Sequence, residues 1–225
     1  MVMNNNDDTF IREVNEELRS EQLQSAWKRF RPVIIGVAVL IVVGFTGSEI
    51  FNWWQARESS ASGDRFLSAI KAADEKKTDE AMKELDALAK DGFGSYPVLA
   101  RMRLATLKAE KGDAKAAIAD FLAIGQDGST PTAMRNVAKI RAAWLMVDNS
   151  TYDEIAGQIE ELAAATSPVR HSARETLGLA AYKAGNFAKS KEWLQQIVDD
   201  NDAPAGARTR ARMIIGLITA SGKLS

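Results

Sequence analysis

Apolar residues follow two regimes along this chain. From Val33 the sequence runs Val-Ile-Ile-Gly-Val-Ala-Val-Leu-Ile-Val-Val-Gly-Phe-Thr-Gly-Ser without a charge, followed by Glu49, Ile50, Phe51, Asn52, Trp53 and Trp54. At about 1.5 Å per residue, the stretch from Val33 to Trp54 is about 33 Å long, close to the roughly 30 Å hydrocarbon core of a bilayer. One transmembrane helix is predicted over 32–54, with Glu49, Trp53 and Trp54 at its far interface. The alternative is a cleaved signal peptide, with Ser59, Ser60, Ala61 and Ser62 as small residues. A charged leader of about 30 residues and two tryptophans before any cleavage point speak against it. Gly36, Gly44 and Ser48 would let a partner helix approach closely, although glycine is common in spans.

Elsewhere, apolar positions recur three and four apart, the spacing of one helix face. In the tail, Phe10, Val14 and Leu18 stand opposite Glu13, Glu16 and Glu17, behind Asp7 and Asp8. This predicts a short amphipathic helix within 1–31, either a docking element or a frayed extension of the span. Its acidity excludes a basic lipid-surface anchor.

Beyond residue 55 the pattern repeats. Pro97, Pro131, Pro168 and Pro204 are separated by 34, 37 and 36 residues, and turns at Gly112, Asn149 and Gly185 each precede the next proline by 19. Between proline and turn lie apolar-periodic stretches at Val98 to Glu110, Thr132 to Val147 and Val169 to Ala184. Between turn and proline lie Ala114 to Ile124, Tyr152 to Ala164 and Phe187 to Val198. Proline suits the first turn of a helix, and Gly or Asn suits a left-handed helix end. Each unit is therefore a pair of antiparallel helices. A further pair is predicted over Gly63 to Asp91, with Phe66 and Ile70 on its first helix, a turn at Lys76 to Thr78, and Ala81, Leu85 and Leu88 on its second. A closing helix from Pro204 to Ala220 should carry Met213, Ile214, Leu217 and Ile218 on one side, with Arg208, Arg210 and Arg212 exposed.

These units resemble tetratricopeptide repeats. The last supplies Leu177, Gly178, Gly185, Phe187, Ser190 and Leu194, with Arg174 and Ala181 where the consensus has large residues; the second supplies Leu104, Ala105, Gly112, Ala117 and Phe121. In the third, Ile155 occupies the small-residue slot and Trp144 lies nearby. The fold class expected is all-α: a single transmembrane helix, then a tetratricopeptide-like α-solenoid of about four hairpins and a C-terminal capping helix over 55–225.

Charge adds direction. Lys28, Arg29 and Arg31 crowd the first end of the span, so the positive-inside rule puts the tail in the cytoplasm and the repeats outside, in the periplasm of a bacterium. The chain holds 29 Lys and Arg against 30 Asp and Glu, and beyond residue 31 the balance is 24 to 24. A neutral domain has no electrostatic reason to bind nucleic acid.

Candidate chemistry is sparse. There is no cysteine, and the single His171 has no second His for a metal site. Adjacent acids such as Asp153 with Glu154, or Glu160 with Glu161, point apart on a helix. The glycine-rich segments at 92–94 and 125–128 lack a phosphate-loop Gly-Lys-Ser/Thr. No catalytic residue, metal, cofactor or small-molecule substrate is expected. The candidates are protein-binding residues on the first helices of the units: Met102, Thr106, Lys139, Ala143, Met146, Glu175, Leu179 and Tyr182. Met and Tyr suit adaptable contact with apolar peptide; the competing reading is that several are core.

One span behind the basic, tryptophan-containing segment Trp27-Lys28-Arg29-Phe30-Arg31, a Trp-Trp-Gln-Ala-Arg exit at 53–57 and divergent repeats resemble the bacterial ancillary SecYEG translocon subunit family, the YfgM-like proteins. The resemblance implies an inner-membrane protein beside the translocon, its periplasmic domain cooperating with a membrane-tethered periplasmic chaperone in handling secreted proteins. The alternative is an assembly scaffold for another cell-envelope complex.

Overall fold

The structure is a computed structural model describing Trp27, Arg31, Pro32, Gly36, Val37, Leu40, Ile41, Phe45, Phe51 and residues 53–222. It divides into two units, Met1–Glu58 and Ser59–Ser225. In the first, the described residues are helical and, up to Arg57, exposed, including Val37, Leu40, Ile41, Phe45 and Phe51. The Phe51 and Trp54 rings are tilted at 39° with centres 6.2 Å apart, and the Arg57 guanidinium lies 5.5 Å from the Trp53 ring centre. Among the described residues no helix is long and apolar enough to cross a membrane. The span expected at 32–54 and the tail helix at 1–31 lie outside the described residues, apart from the isolated positions named.

The second unit is helical throughout its described elements. Helix α1 occupies residues 59–74. It is followed by α2 (Thr78–Asp91), α3 (Tyr96–Glu110), α4 (Ala114–Gln126), α5 (Thr132–Asn149) and α6 (Tyr152–Ile159). A 3₁₀ turn (Glu160–Ala163), α7 (Arg170–Lys183), α8 (Phe187–Val198) and α9 (Ala205–Ala220) complete it. Successive helices from α2 to α9 pack on one another, and α7 also touches both α5 and α9 directly. The odd-numbered helices thus form one layer and the even-numbered ones the other.

Local chemistry sets these boundaries. Pro97 sits in the first turn of α3, and Pro131 and Pro204 cap α5 and α9. Gly112 and Gly185, at φ 89° and 76°, let the chain turn from a first helix to a second in a conformation that costs an L side chain. The second helices are then capped by side chains: Asp113 accepts from Ala116 N, Asn186 accepts from Lys189 N, and Thr151 and Glu154 form a reciprocal capping box.

The core is a chain of neighbouring clusters, as stacked repeats require. Leu85 and Leu88 anchor the first with Ala69 and Leu107; Phe121 and Ile124 the second with Ala138 and Ala142. Ile155, Ile159 and Leu177 anchor the third, and Leu194 and Ile197 the last with Ala207 and Ala211. Helix backbones meet closest at the small residues: Ser190 Oγ donates to Gly178 O at 2.7 Å, and both residues are buried.

Two expectations are corrected. The stretch Tyr152 to Ala164 is not one α-helix; it tightens to 3₁₀ at Glu160. There the Ala163 carbonyl accepts 2.9 Å from Arg174 Nε, so a buried guanidinium takes the place of a helical N–H, and it occupies the slot where the repeat consensus has a large aromatic. In α9 the apolar side splits. Ala207 and Ala211 are buried against α8 with Ile214 packed beside them, and Ile218 is buried too, whereas Met213 and Leu217 are exposed and Arg208 is half-buried.

Candidate functional site

Among the described residues of the second unit, every exposed large apolar side chain lies on an odd-numbered helix: Leu67 on α1, Val137 and Trp144 on α5, Leu179 and Tyr182 on α7, Met213 and Leu217 on α9. Trp144 is 56% exposed. A groove of about 340 Å³ is lined by Trp144, Val147, Asp148, Glu175, Leu179 and Arg210, drawn from α5, α7 and α9. A second, of about 270 Å³, lies along Val137, Ile140, Arg141, Trp144, Val169 and Ser172. Trp144 is the shared wall.

Ion pairs hold the groove's shape. Arg210 grips Glu175 bidentately, with Nη2 donating to Oε2 at 2.8 Å, and so ties α9 to α7. The Glu175 side chain is only 9% exposed, and this hydrogen-bonded carboxylate holds Arg210 above its ordinary basicity. Lys183 donates to Val147 O at 2.7 Å and reaches Asp148 at 3.5 Å, tying α7 to the end of α5. Arg141 donates to Thr106 Oγ1 at 2.9 Å and lies 5.9 Å from the Phe121 ring centre, so its guanidinium is steered without a carboxylate.

Of the eight residues chosen from sequence, Glu175 and Leu179 line this groove. Tyr182 lies one turn beyond Leu179, with its ring edge-on to Phe187 at 5.4 Å. Thr106 stands behind the site as the acceptor that steers Arg141. Ala143 and Met146 are buried in the third core cluster, and Met102 packs beside Phe121 and Ile124. Lys139 pairs with Glu161 at 2.6 Å on the second-helix side and does not enter the groove. Trp144, Arg141 and Arg210 were outside that set. Trp144 breaks the apolar phase of α5, where Ala138, Ile140, Ala142, Ala143 and Met146 are buried; that mismatch was the available signal.

A separate cluster fastens the start of α7. Arg170 Nε, His171 Nε2 and Arg174 Nη1 lie 2.8, 2.9 and 3.5 Å from Asp200 Oδ2. The Arg170 hydrogen bond, joined by those of His171 and the Asp202 backbone, holds the Asp200 carboxyl well below the usual range. His171, at the helix start, is thereby a structural partner of the α8–α9 loop. No group of His, Asp or Glu among the described residues is arranged to hold a metal ion.

The tetratricopeptide repeat-like domain matches residues 24–167, more than half of the chain and including the apolar segment at 33–54. No curated protein and no solved structure matches.

Proposed function

The chain belongs to the tetratricopeptide repeat-like domain family, and from that premise we propose that it is a non-enzymatic protein–protein interaction module tethered to a membrane. The observation that carries the reading is the segregation of exposed apolar side chains onto one layer around Trp144. Water-facing surfaces carry such residues singly; gathered around a groove, they mark a contact site. The two carboxylates in the groove already hold Lys183 and Arg210, which suits a structural rather than an acid–base role.

The tether rests on the uncharged run from Val33 and on the exposed, helical Val37, Leu40, Ile41 and Phe45. An uncharged apolar run of this length suits a bilayer better than water. The basic segment at 28–31 supports a cytoplasmic N-terminus and a periplasmic repeat domain. The likeness in layout to ancillary SecYEG subunits supports the translocon and a membrane-tethered periplasmic chaperone as partners. Affinity purification in mild detergent, at native expression level, is expected to recover both; recovery of neither contradicts the assignment. Protease added to spheroplasts should digest the repeats, and protection would reverse the orientation.

A further inference from the structure

The overall charge balance conceals a sorting by layer. Helices α3, α5, α7 and α9 together carry 12 Lys and Arg against 3 Asp and Glu. The even-numbered helices and the 3₁₀ turn carry 5 against 11, and α1 is balanced at 2 of each. Part of this is internal: Lys108 pairs with Asp120 and Lys139 with Glu161 between the layers. Of the others, Arg101, Arg170 and Arg174 are held by Asp127 and Asp200 in the loops, Arg103 by Glu110, Lys183 by Asp148 and Arg210 by Glu175. Among the described residues no carboxylate pairs with Arg141, Arg208 or Arg212, and Arg141 and Arg212 are exposed.

These cations alternate with the exposed apolar residues. On α5, Arg141 precedes Trp144 by one turn; on α9, Arg210 precedes Met213 and then Leu217 at helical spacing. Arg210 commits Nε and Nη2 to Glu175, which leaves its other donors available. The groove between is recessed, with Trp144, Val147 and Leu179 as its apolar wall, so it accepts a side chain, which a flat bilayer surface does not supply. Asp148 and Glu175 in its wall are matched by Lys183 and Arg210.

We infer that the groove around Trp144 takes an acidic protein segment: a bulky apolar side chain seats between Trp144 and Leu179, with carboxylates one turn to either side meeting Arg141 and Arg210. The inference rests on the interaction-module reading and names the partner's chemistry. Exposed guanidinium–carboxylate pairs contribute modestly to affinity and strongly to selectivity, so the apolar anchor should dominate binding and the charges should choose the partner.

The test uses the full chain in phosphatidylcholine nanodiscs and fluorescent peptides of about 15 residues, read by anisotropy. One peptide has a central Phe flanked by Asp and Glu, a second has Lys in place of the acids, a third Ser in place of Phe, and a fourth has neutral flanks. The acidic peptide is expected to bind about tenfold or more tighter than the lysine and serine versions, and to weaken severalfold between about 0.15 and 0.5 M salt. Trp144→Ala should weaken it about tenfold and Arg141→Gln severalfold, while Lys191→Gln, at an exposed position of α8, leaves it unchanged. Both altered groove residues are exposed, and circular dichroism checks that the variants are folded. Equal binding of the lysine peptide, or indifference to Trp144→Ala, overturns the inference. Displacement of the acidic peptide from the groove by phosphatidylglycerol vesicles overturns it in favour of a lipid surface. If the neutral peptide binds through Trp144 and the acidic one does not, the acidic chemistry fails while the interaction module stands. Failure of all four peptides together with no crosslinking at position 144 removes both.

Discussion

Replacing Gly178 by alanine sets two effects of known sign against each other. In an exposed helix interior, glycine to alanine stabilises by about 1 kcal/mol. At Gly178 the added Cβ would lie 2.7 Å from both Cγ and Cδ2 of Leu194. Ordinary carbon contacts are about 3.5–4.0 Å, so the methyl group needs nearly 1 Å that fully buried Leu194 does not have. Overpacking of this kind costs about 1–3 kcal/mol. The net expectation is destabilisation by about 1 kcal/mol, or a fall in Tm of about 2–4 °C for a domain of this size. Gly216 in α9 is the contrast, since nothing lies within 4 Å of its built Cβ; Gly216→Ala should stabilise by up to about 1 kcal/mol. Urea unfolding of each variant, followed by far-ultraviolet circular dichroism, gives the comparison. A double-mutant cycle sharpens it. Leu194→Ala alone should cost about 2–5 kcal/mol, and less when combined with Gly178→Ala, whose new methyl group occupies vacated space. Gly178→Ala matching the stabilisation of Gly216→Ala, or strict additivity with Leu194→Ala, would refute the close approach of α7 and α8.

Asp200→Asn should lower the Tm at neutral pH by releasing Arg170, His171 and Arg174 together. Because the folded-state pKa of Asp200 lies below its ordinary value, its contribution is present above about pH 4 and is lost as pH falls further. The Tm gap between wild type and variant should therefore narrow on acidification in a thermal-melt series, and a constant gap would count against a charge-based role. Trp193→Phe removes the donor to the Tyr152 hydroxyl at 2.9 Å while retaining most of the packing; a loss of about 1 kcal/mol is expected in urea melts, and no loss would show that hydrogen bond to be idle.

The sequence made the two-helix unit legible because its punctuation is local. Gly112 and Gly185 are required by backbone conformation, Pro97, Pro131 and Pro204 stand at helix starts, and Gly178 and Ser190 are small where two backbones meet. What escaped depended on partners far along the chain. The buried position of Arg174 follows from Ala163, Gln196 and Asp200, and that of Glu175 from Arg210, 35 residues away. Periodicity marks an apolar strip without saying which of its edges meets a neighbour, so Met213 and Leu217 were grouped with Ile214 and Ile218 although only the latter pair turns inward. Charge sorting escaped for the same reason: a whole-chain balance sums two layers of opposite sign.

The central claim is that the face of the odd-numbered helices around Trp144 is the working surface. A photoreactive benzoyl-phenylalanine placed at position 144, and separately at Lys191 on the opposite layer, tests it in native membranes. Irradiation should give discrete protein adducts from position 144 and none from 191. Adducts from 191 with none from 144 would contradict the account.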